Sequence, residues 1–314
     1  MADRITIFGY GAVGRATTTR LLAEGREVLV AQRRAPSDLP KGATFAPCDT
    51  FDREAVINSA RGAAQFVVAI GFPYSGVVWR DAWPKAMANF VAACKATGAR
   101  MVFIDTLYMY GPQTAPLVET MPLTDKGWKP AARSAATRIW MAAAAAGEAR
   151  VAALRAPDFY GPGVGNSFLG DTSIGKLAQG KAAVFIGSPD VLHDYAYVPD
   201  IARAAAALLG APDSAFGQAW HVPCAPTRTT RAILKIAAEA LNVKLRISAI
   251  PAWMLGASGM FSPLLRELPE MRFQWDRPYH VDWSRFASAF WSDATPFENG
   301  VPETALAFRA AFKR

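Results

Sequence analysis

Ile5-Thr6-Ile7-Phe8-Gly9-Tyr10-Gly11-Ala12-Val13-Gly14 is an apolar run that closes on G-x-G-x-x-G. A helix-like segment, 15–24, follows it. After Gly25 a second strand is expected at 27–31, so a βαβ unit is legible. Gly9 permits the tight turn out of the strand. Gly11 lets backbone approach a pyrophosphate, and Gly14 lets the helix pack on the sheet. The N–H groups of Ala12, Val13 and Gly14 then face the phosphates from the positive end of the helix. The spacing therefore predicts a dinucleotide site.

The rest of the chain repeats the alternation. Strands are expected at 43–47, 64–70, 100–106 and 151–154. Helices are expected at 52–60, capped by Asp52, at 83–97 and at 131–146. Strands separated by helices mean a doubly wound parallel sheet of α/β class, and its ligands bind beyond the carboxyl ends of the strands. Asp49, Gly71, Phe72 and Pro157 follow strands and join the expected cofactor site. Further on, a strand-like run at 182–187 and a helix at 201–209 capped by Asp200 are expected. A short strand at 220–222 and a helix at 231–241 after Thr229-Thr230 complete the regular part. The expected division is 1–163 for the nucleotide-binding domain and 164–314 mainly for a smaller C-terminal substrate lobe, with 182–210 returning to the first domain. Trp253, Met254, Met260, Phe261 and Trp275 give that lobe an apolar character, as core or as a pocket for a partly hydrophobic substrate.

The second strand ends at Gln32-Arg33-Arg34. An acid is wanted here to hold the ribose 2′-OH of NAD. Instead the residue is neutral and two arginines follow. Guanidinium forks suit a 2′-phosphate, so the pattern favours NADP(H). Arg15, a cation in the first helical turn, opposes the helix dipole unless a phosphate is near.

Composition excludes several classes. The 314 residues carry a net charge of +8, with no run of five basic residues, so no nucleic-acid patch is indicated. Cys48, Cys94 and Cys224 form no C-x-x-C, and His193, His221 and His280 lack metal-ligand spacing, so no metal site is expected. A reducing cytoplasm fits, and no signal peptide is read at the start. Residues 247–265 carry no charge, but Pro251, Gly256, Gly259 and Pro263 interrupt them; a buried or lid-like segment is expected rather than a membrane span.

Four stretches together give a resemblance: Gly9 to Gly14, Asp105-Thr106-Leu107-Tyr108-Met109-Tyr110-Gly111, Arg155 to Gly163, and His193 to Asp200. The chain resembles the extended short-chain dehydrogenase/reductase superfamily, in its NAD-dependent epimerase/dehydratase group. The resemblance implies a Rossmann fold, a small-molecule substrate and, in many members, a homodimer built on the helices at 83–97 and 131–146. It gives Thr106, four residues before Tyr110-Gly111, the role of bonding the reacting oxygen, and sets Tyr110 beside the substrate. The family's catalytic Y-x-x-x-K is missing: no tyrosine here has a lysine four residues on. Its place is held by Lys129 and Arg133, which share one helix face; they are either its replacement or solvated surface cations. Tyr108 faces the same way as Thr106 if the strand extends that far, and then supplies a phenol with Lys129 or Arg133 lowering its pKa, or an aromatic wall.

Two substrate positions also depart from the pattern. Members that use nucleotide sugars carry an Asn where this chain has Asp158 and often an Arg where it has His193. An acid repels a diphosphate and a mostly neutral imidazole weakens the pull. The expected activity is hydride transfer between NADP(H) and a carbonyl or alcohol carbon. The alternatives are a non-catalytic NADP(H) sensor and a nucleotide-sugar epimerase or dehydratase.

Overall fold

The computed structural model describes residues 4–250 and 267–312. They divide into two compact units. Of the described residues, the first comprises 4–110, 122–155 and 201–220, and the second 111–121, 156–200, 221–250 and 267–312.

The first unit is built on β1 (Ile5–Phe8), α1 (Ala12–Ala23), β2 (Val28–Gln32), β3 (Ala43–Pro47), α2 (Arg53–Ala60), β4 (Gln65–Val68), α3 (Gly76–Thr97), β5 (Arg100–Asp105), α4 (Trp128–Ala145) and β6 (Val151–Arg155). The sheet order is β3-β2-β1-β4-β5-β6, with a seventh strand, Gln218–His221, beyond β6. The pairs from β3 to β6 are all parallel. Chain order reverses between β1 and β4, and this is the switch point at which such sheets bind ligands. β1 and β4 are buried at every residue, as strands covered on both faces are. Phe8, Phe66 and Phe90 meet edge-on or tilted in a core shared by the sheet with α2, α3 and α4. Truncating a buried Phe of this kind costs roughly 3–5 kcal/mol.

Asp52 caps α2 as its position predicts: Oδ1 accepts from the N–H groups of Glu54 at 3.0 Å and Ala55 at 3.1 Å. Two helices begin earlier than their sequences suggest. In α3 the buried stripe Trp79, Ala82, Trp83, Ala86, Met87, Phe90 keeps one helical period through the first turn. In α4 the start precedes Pro130, because proline is tolerated in a first turn where no i−4 carbonyl awaits its N–H.

The second unit contains β7 (Asp158–Tyr160), α5 (Ile174–Ala178), β8 (Ala183–Ile186), β9 (Leu192–His193), β10 (Tyr195–Tyr197), and the first residues of α6 (Val198–Leu209). After the seventh strand of the large sheet, β11, come β12 (Arg228–Thr229), α7 (Thr230–Leu241), β13 (Ile247–Ile250), α8 (Ser284–Ala289) and α9 (Phe297–Ala311). Three two-stranded sheets organise it: β10 with β7, β12 with β9, and β13 with β8. The last pairing keeps 183–186 in this unit, so the segment that returns to the first unit is 201–220, later than the expected 182–210. Thr229 caps α7 through Oγ1, which accepts from Ala232 N–H at 3.2 Å. Asp200 is not a cap. α6 starts at Val198, and the Asp200 carboxylate accepts from Thr295 N–H at 2.8 Å and Oγ1 at 3.0 Å. The front of the uncharged run is strand β13. Residues 251–265, with Trp253, Met254, Met260 and Phe261, lie outside the described residues, whereas Trp275 is buried against Phe168. Among the described residues no helix is long and apolar enough to cross a membrane.

Candidate functional site

The glycines of the turn after β1 are fixed by backbone contacts. Gly9 N–H donates to Ala31 O at 3.0 Å and has φ +93°; a Cβ on it would stand 2.6 Å from Ala69 O. A Cβ on Gly14 would overlap the carbonyl of Gly9. Both positions therefore require glycine for the chain's own packing. Gly11 differs. It is exposed, begins α1 without a side-chain cap, and faces open space where its Cβ would stand. An uncapped helix end beside an open glycine is a fitting cradle for a pyrophosphate.

At the end of β2, Gln32 does structural work. Its Oε1 accepts from Tyr10 N–H at 3.1 Å and its Nε2 donates to Arg34 O at 2.7 Å. The amide thus ties the glycine turn to the backbone that carries the arginines. Arg33 and Arg34 are exposed. Arg15 is committed elsewhere: it lies over the Tyr10 ring at 4.4 Å and pairs with Asp38. That acid, not only a phosphate, answers the cation at the helix start. After β3, Asp49 accepts from Phe51 N–H at 3.0 Å and is exposed. Gly71 has open space around it, and Phe72 stacks on Phe51 with ring centroids 5.3 Å apart. Pro157, just after β6, is buried.

The end of β5 departs most from expectation. The strand stops at Asp105, and Tyr108–Tyr110 is a single 3-10 turn. Side-chain alternation therefore does not carry Tyr108 to the face of Thr106. Tyr108 instead stacks on Trp79 at 6.0 Å, and Trp79 meets Tyr74 edge-on at 5.6 Å. Of the two readings of Tyr108, this geometry supports the aromatic wall. Thr106 Oγ1 is buried and has no hydrogen-bond partner among the described residues.

Lys129 and Arg133 are not solvated. Lys129 is 0% exposed and Arg133 2%. The Lys129 ammonium lies 4.5 Å from the centre of the Tyr74 ring. Arg133 lies 3.8 Å over Trp83 and pairs with Asp105. Tyr110 is buried too. Its phenol oxygen accepts from Arg155 Nη1 at 2.6 Å, which sets it in the interior of the first unit. Arg155 Nε stands 3.5 Å from Asp105 Oδ2. Asp105, Arg155, Trp79 and Trp83 were given no site role in the sequence reading. A signal existed for two of them: the apolar strands β5 and β6 both end on a charge, and the two charges are register partners of opposite sign.

In the second unit, Asp158 and His193 come together. Their Oδ2 and Nε2 atoms are 3.1 Å apart, both buried, without the alignment of a hydrogen bond. His193 stacks on Tyr279 at 5.0 Å, and β9 is held by Arg228 opposite His193. The two positions noticed separately in the sequence thus face each other in the fold. Neighbouring Asp194 is likewise matched to His280, at 3.0 Å. Among the described residues no cluster of His, Cys, Asp or Glu is suited to a metal ion.

Residues 5–222 match the model of the NAD dependent epimerase/dehydratase family. No curated protein matches the chain in sequence. Solved structures do match in fold. UDP-glucose 4-epimerase of Thermus thermophilus, in complex with NAD, superposes with a TM-score of 0.79 at 21% identity, covering 98% of this chain and 99% of that one. A dTDP-glucose 4,6-dehydratase of Streptomyces venezuelae with NAD bound gives 0.79 at 17%, covering 98% and 97%. UDP-glucuronic acid 4-epimerase of Bacillus cereus with UDP-glucuronic acid and NAD gives 0.81 at 12%, covering 98% and 99%.

Proposed function

The chain belongs to the NAD dependent epimerase/dehydratase family, and within it we propose an NADP(H)-dependent oxidoreductase that acts on a carbonyl or alcohol carbon of a small molecule. The observation that carries this reading is the hydroxyl of Thr106. It is buried at the carboxyl end of β5 and has no hydrogen-bond partner among the described residues. A buried hydroxyl without a partner is unfavourable by about 1–3 kcal/mol. A reacting oxygen would relieve it.

When bound, the cofactor supplies or accepts the hydride. Gly11 and the start of α1 hold its pyrophosphate, and Arg33 and Arg34 take the 2′-phosphate. Thr106 orients the substrate oxygen. Lys129 shares a helix face with Arg133 and is buried beside the Tyr74 ring, and we assign it the proton. Tyr74, Trp79 and Tyr108 form an apolar wall.

The NADP(H) preference is tested by titrating NADPH and NADH into the wild type and Arg33→Ala/Arg34→Ala. Loss of charge-assisted bonds to a phosphate should weaken NADPH by about 10–100-fold and leave NADH unchanged. Oxidation of NADPH is then followed with a panel of carbonyls. Failure of both cofactors to bind would sink the whole reading.

A second reading, a non-catalytic NADP(H) sensor, has its own support: Lys129 and Arg133 are buried and Arg133 is committed to Asp105. It expects partner-dependent cofactor affinity and no turnover. The nucleotide-sugar reading has the structural relatives on its side and the Asp158–His193 pair against it. A cytoplasmic setting and a homodimer through α3 and α4 belong to the proposal. Exposed Val77 and Val78 on α3, with Trp128 and Met141 on α4, support the latter.

A further inference from the structure

One carboxylate in the first unit serves three partners. Asp105 Oδ1 accepts the backbone N–H of Thr106 at 2.8 Å and pairs with Arg133 of α4. Its Oδ2 faces Arg155 of β6 at 3.5 Å. Arg155 in turn donates to the phenol of Tyr110 at 2.6 Å. The short stretch from Thr106 to Tyr110 is therefore gripped at both ends, by Asp105 at its first N–H and by Arg155 at its last side chain. Asp105, Arg133 and Arg155 are each at most 2% exposed. Burying such charges is favourable only where geometry is tight and further contacts share the load. Trp83 and Phe103 supply these, with the Arg133 guanidinium 3.8 Å and 5.1 Å from their ring centres.

We propose that Asp105, Arg133 and Arg155 form a buried clamp that positions Thr106, and that Arg133 is a positioning residue rather than a ligand of the cofactor. This rests on Thr106 being the residue that orients the reacting oxygen. The guanidinium fork is needed because it meets a carboxylate and an indole face together, whereas an ammonium is a compact point charge. The clamp also accounts for the aspartate that closes β5: its charge answers two arginines, and its oxygen fixes the next amide.

The tests are Arg133→Lys, Asp105→Asn and Tyr110→Phe, each in the full chain. Displacing an orienting group by a fraction of an ångström to one ångström lowers turnover by up to about 10²-fold. Arg133→Lys should therefore lose about 10-fold or more in kcat, with NADPH Kd and KM within about twofold of wild type. Asp105→Asn combined with Thr106→Ala should be no slower than Thr106→Ala alone, because the clamp acts through that one side chain. Independent of catalysis, amide exchange at Thr106 should accelerate in Asp105→Asn, and exchange over 107–110 should accelerate in Tyr110→Phe. Tyr110→Phe removes one oxygen and keeps the Asp105 pairs, so it remains informative if Asp105→Asn fails to fold. Weakened NADPH binding in Arg133→Lys with unchanged exchange would overturn the proposal and make Arg133 a cofactor ligand. Absence of turnover in the wild type would remove the oxidoreductase reading alone, and the exchange and Kd measurements would still decide the clamp.

Discussion

The turn after β1 and the turn after β5 lie at the same edge of one sheet, yet they follow different rules. The first works through backbone. Gly9 and Gly14 are fixed by contacts of the chain with itself, and Gly11 has open space where a Cβ would stand. The second works through side chains: Asp105 pairs with Arg133, and Lys129 and Arg133 are both buried. Backbone recognition of phosphate needs only conformation and small residues, so it tolerates drift everywhere else. Proton transfer needs a particular group at a particular place, and is altered by a single substitution.

The largest effect should come from Gly14→Val. Its side chain would overlap the Gly9 carbonyl and the close helix–strand contact would be lost. NADPH binding should disappear and the melting temperature should fall by about 4 °C or more, since a clash of this kind costs at least about 1–3 kcal/mol. Unchanged affinity in a calorimetric titration would break the comparison at its first term.

Lys129→Met comes next and probes the second turn. If Lys129 carries the proton, turnover should drop by about 10²-fold while NADPH affinity holds. Stability should not suffer much, because replacing a buried charge by an apolar chain of similar volume is often neutral or favourable. Full turnover in this variant would leave the second turn without a catalytic role and move the balance to the sensor reading.

The same contrast explains what was legible in the sequence. The β1–α1 turn was readable because each glycine answers a local steric demand. The strands were readable because those buried on both faces have apolar runs, as in Ile5–Phe8 and Gln65–Val68. Asp52 was readable as a cap, but Asp200 was not excluded as one, since only the fold brings Thr295 to its carboxylate. The clamp was invisible for the same reason: Asp105, Arg133 and Arg155 are far apart in the chain, and their burial follows from strand register and the placement of α4. The phenol reading of Tyr108 required the strand to reach residue 108, but it ends at Asp105 and alternation fails at the 3-10 turn. Asp158 and His193 looked like two losses until β7 and the segment around β9 set them 3.1 Å apart.

Gly11→Ala separates a glycine kept for a ligand from glycines kept for the fold. Its φ of −76° and ψ of −167° suit alanine, and no atom lies near the added methyl. Ala is a poorer helix start than Gly by well under about 1 kcal/mol, so the melting temperature should move by no more than about 2 °C. NADPH affinity should nevertheless fall by about 10-fold, since the methyl occupies the approach to the pyrophosphate. A fall in stability with affinity intact would reverse the assignment.

The smallest effect belongs to Arg15→Ala. A cation at a helix N-terminus is unfavourable by about 0.3–1 kcal/mol unless answered by negative charge. Here Asp38 answers it and the Tyr10 ring covers it, in a half-exposed pair that contributes little. In the proposed reading the 2′-phosphate falls to Arg33 and Arg34, which are exposed just after β2. Arg15→Ala should therefore change NADPH affinity by less than about threefold, well below the loss expected for the Arg33/Arg34 double variant. A loss comparable to that of the double variant would mean that Arg15 leaves Asp38 when the phosphates arrive, and the first turn would then depend on a side chain as the second does.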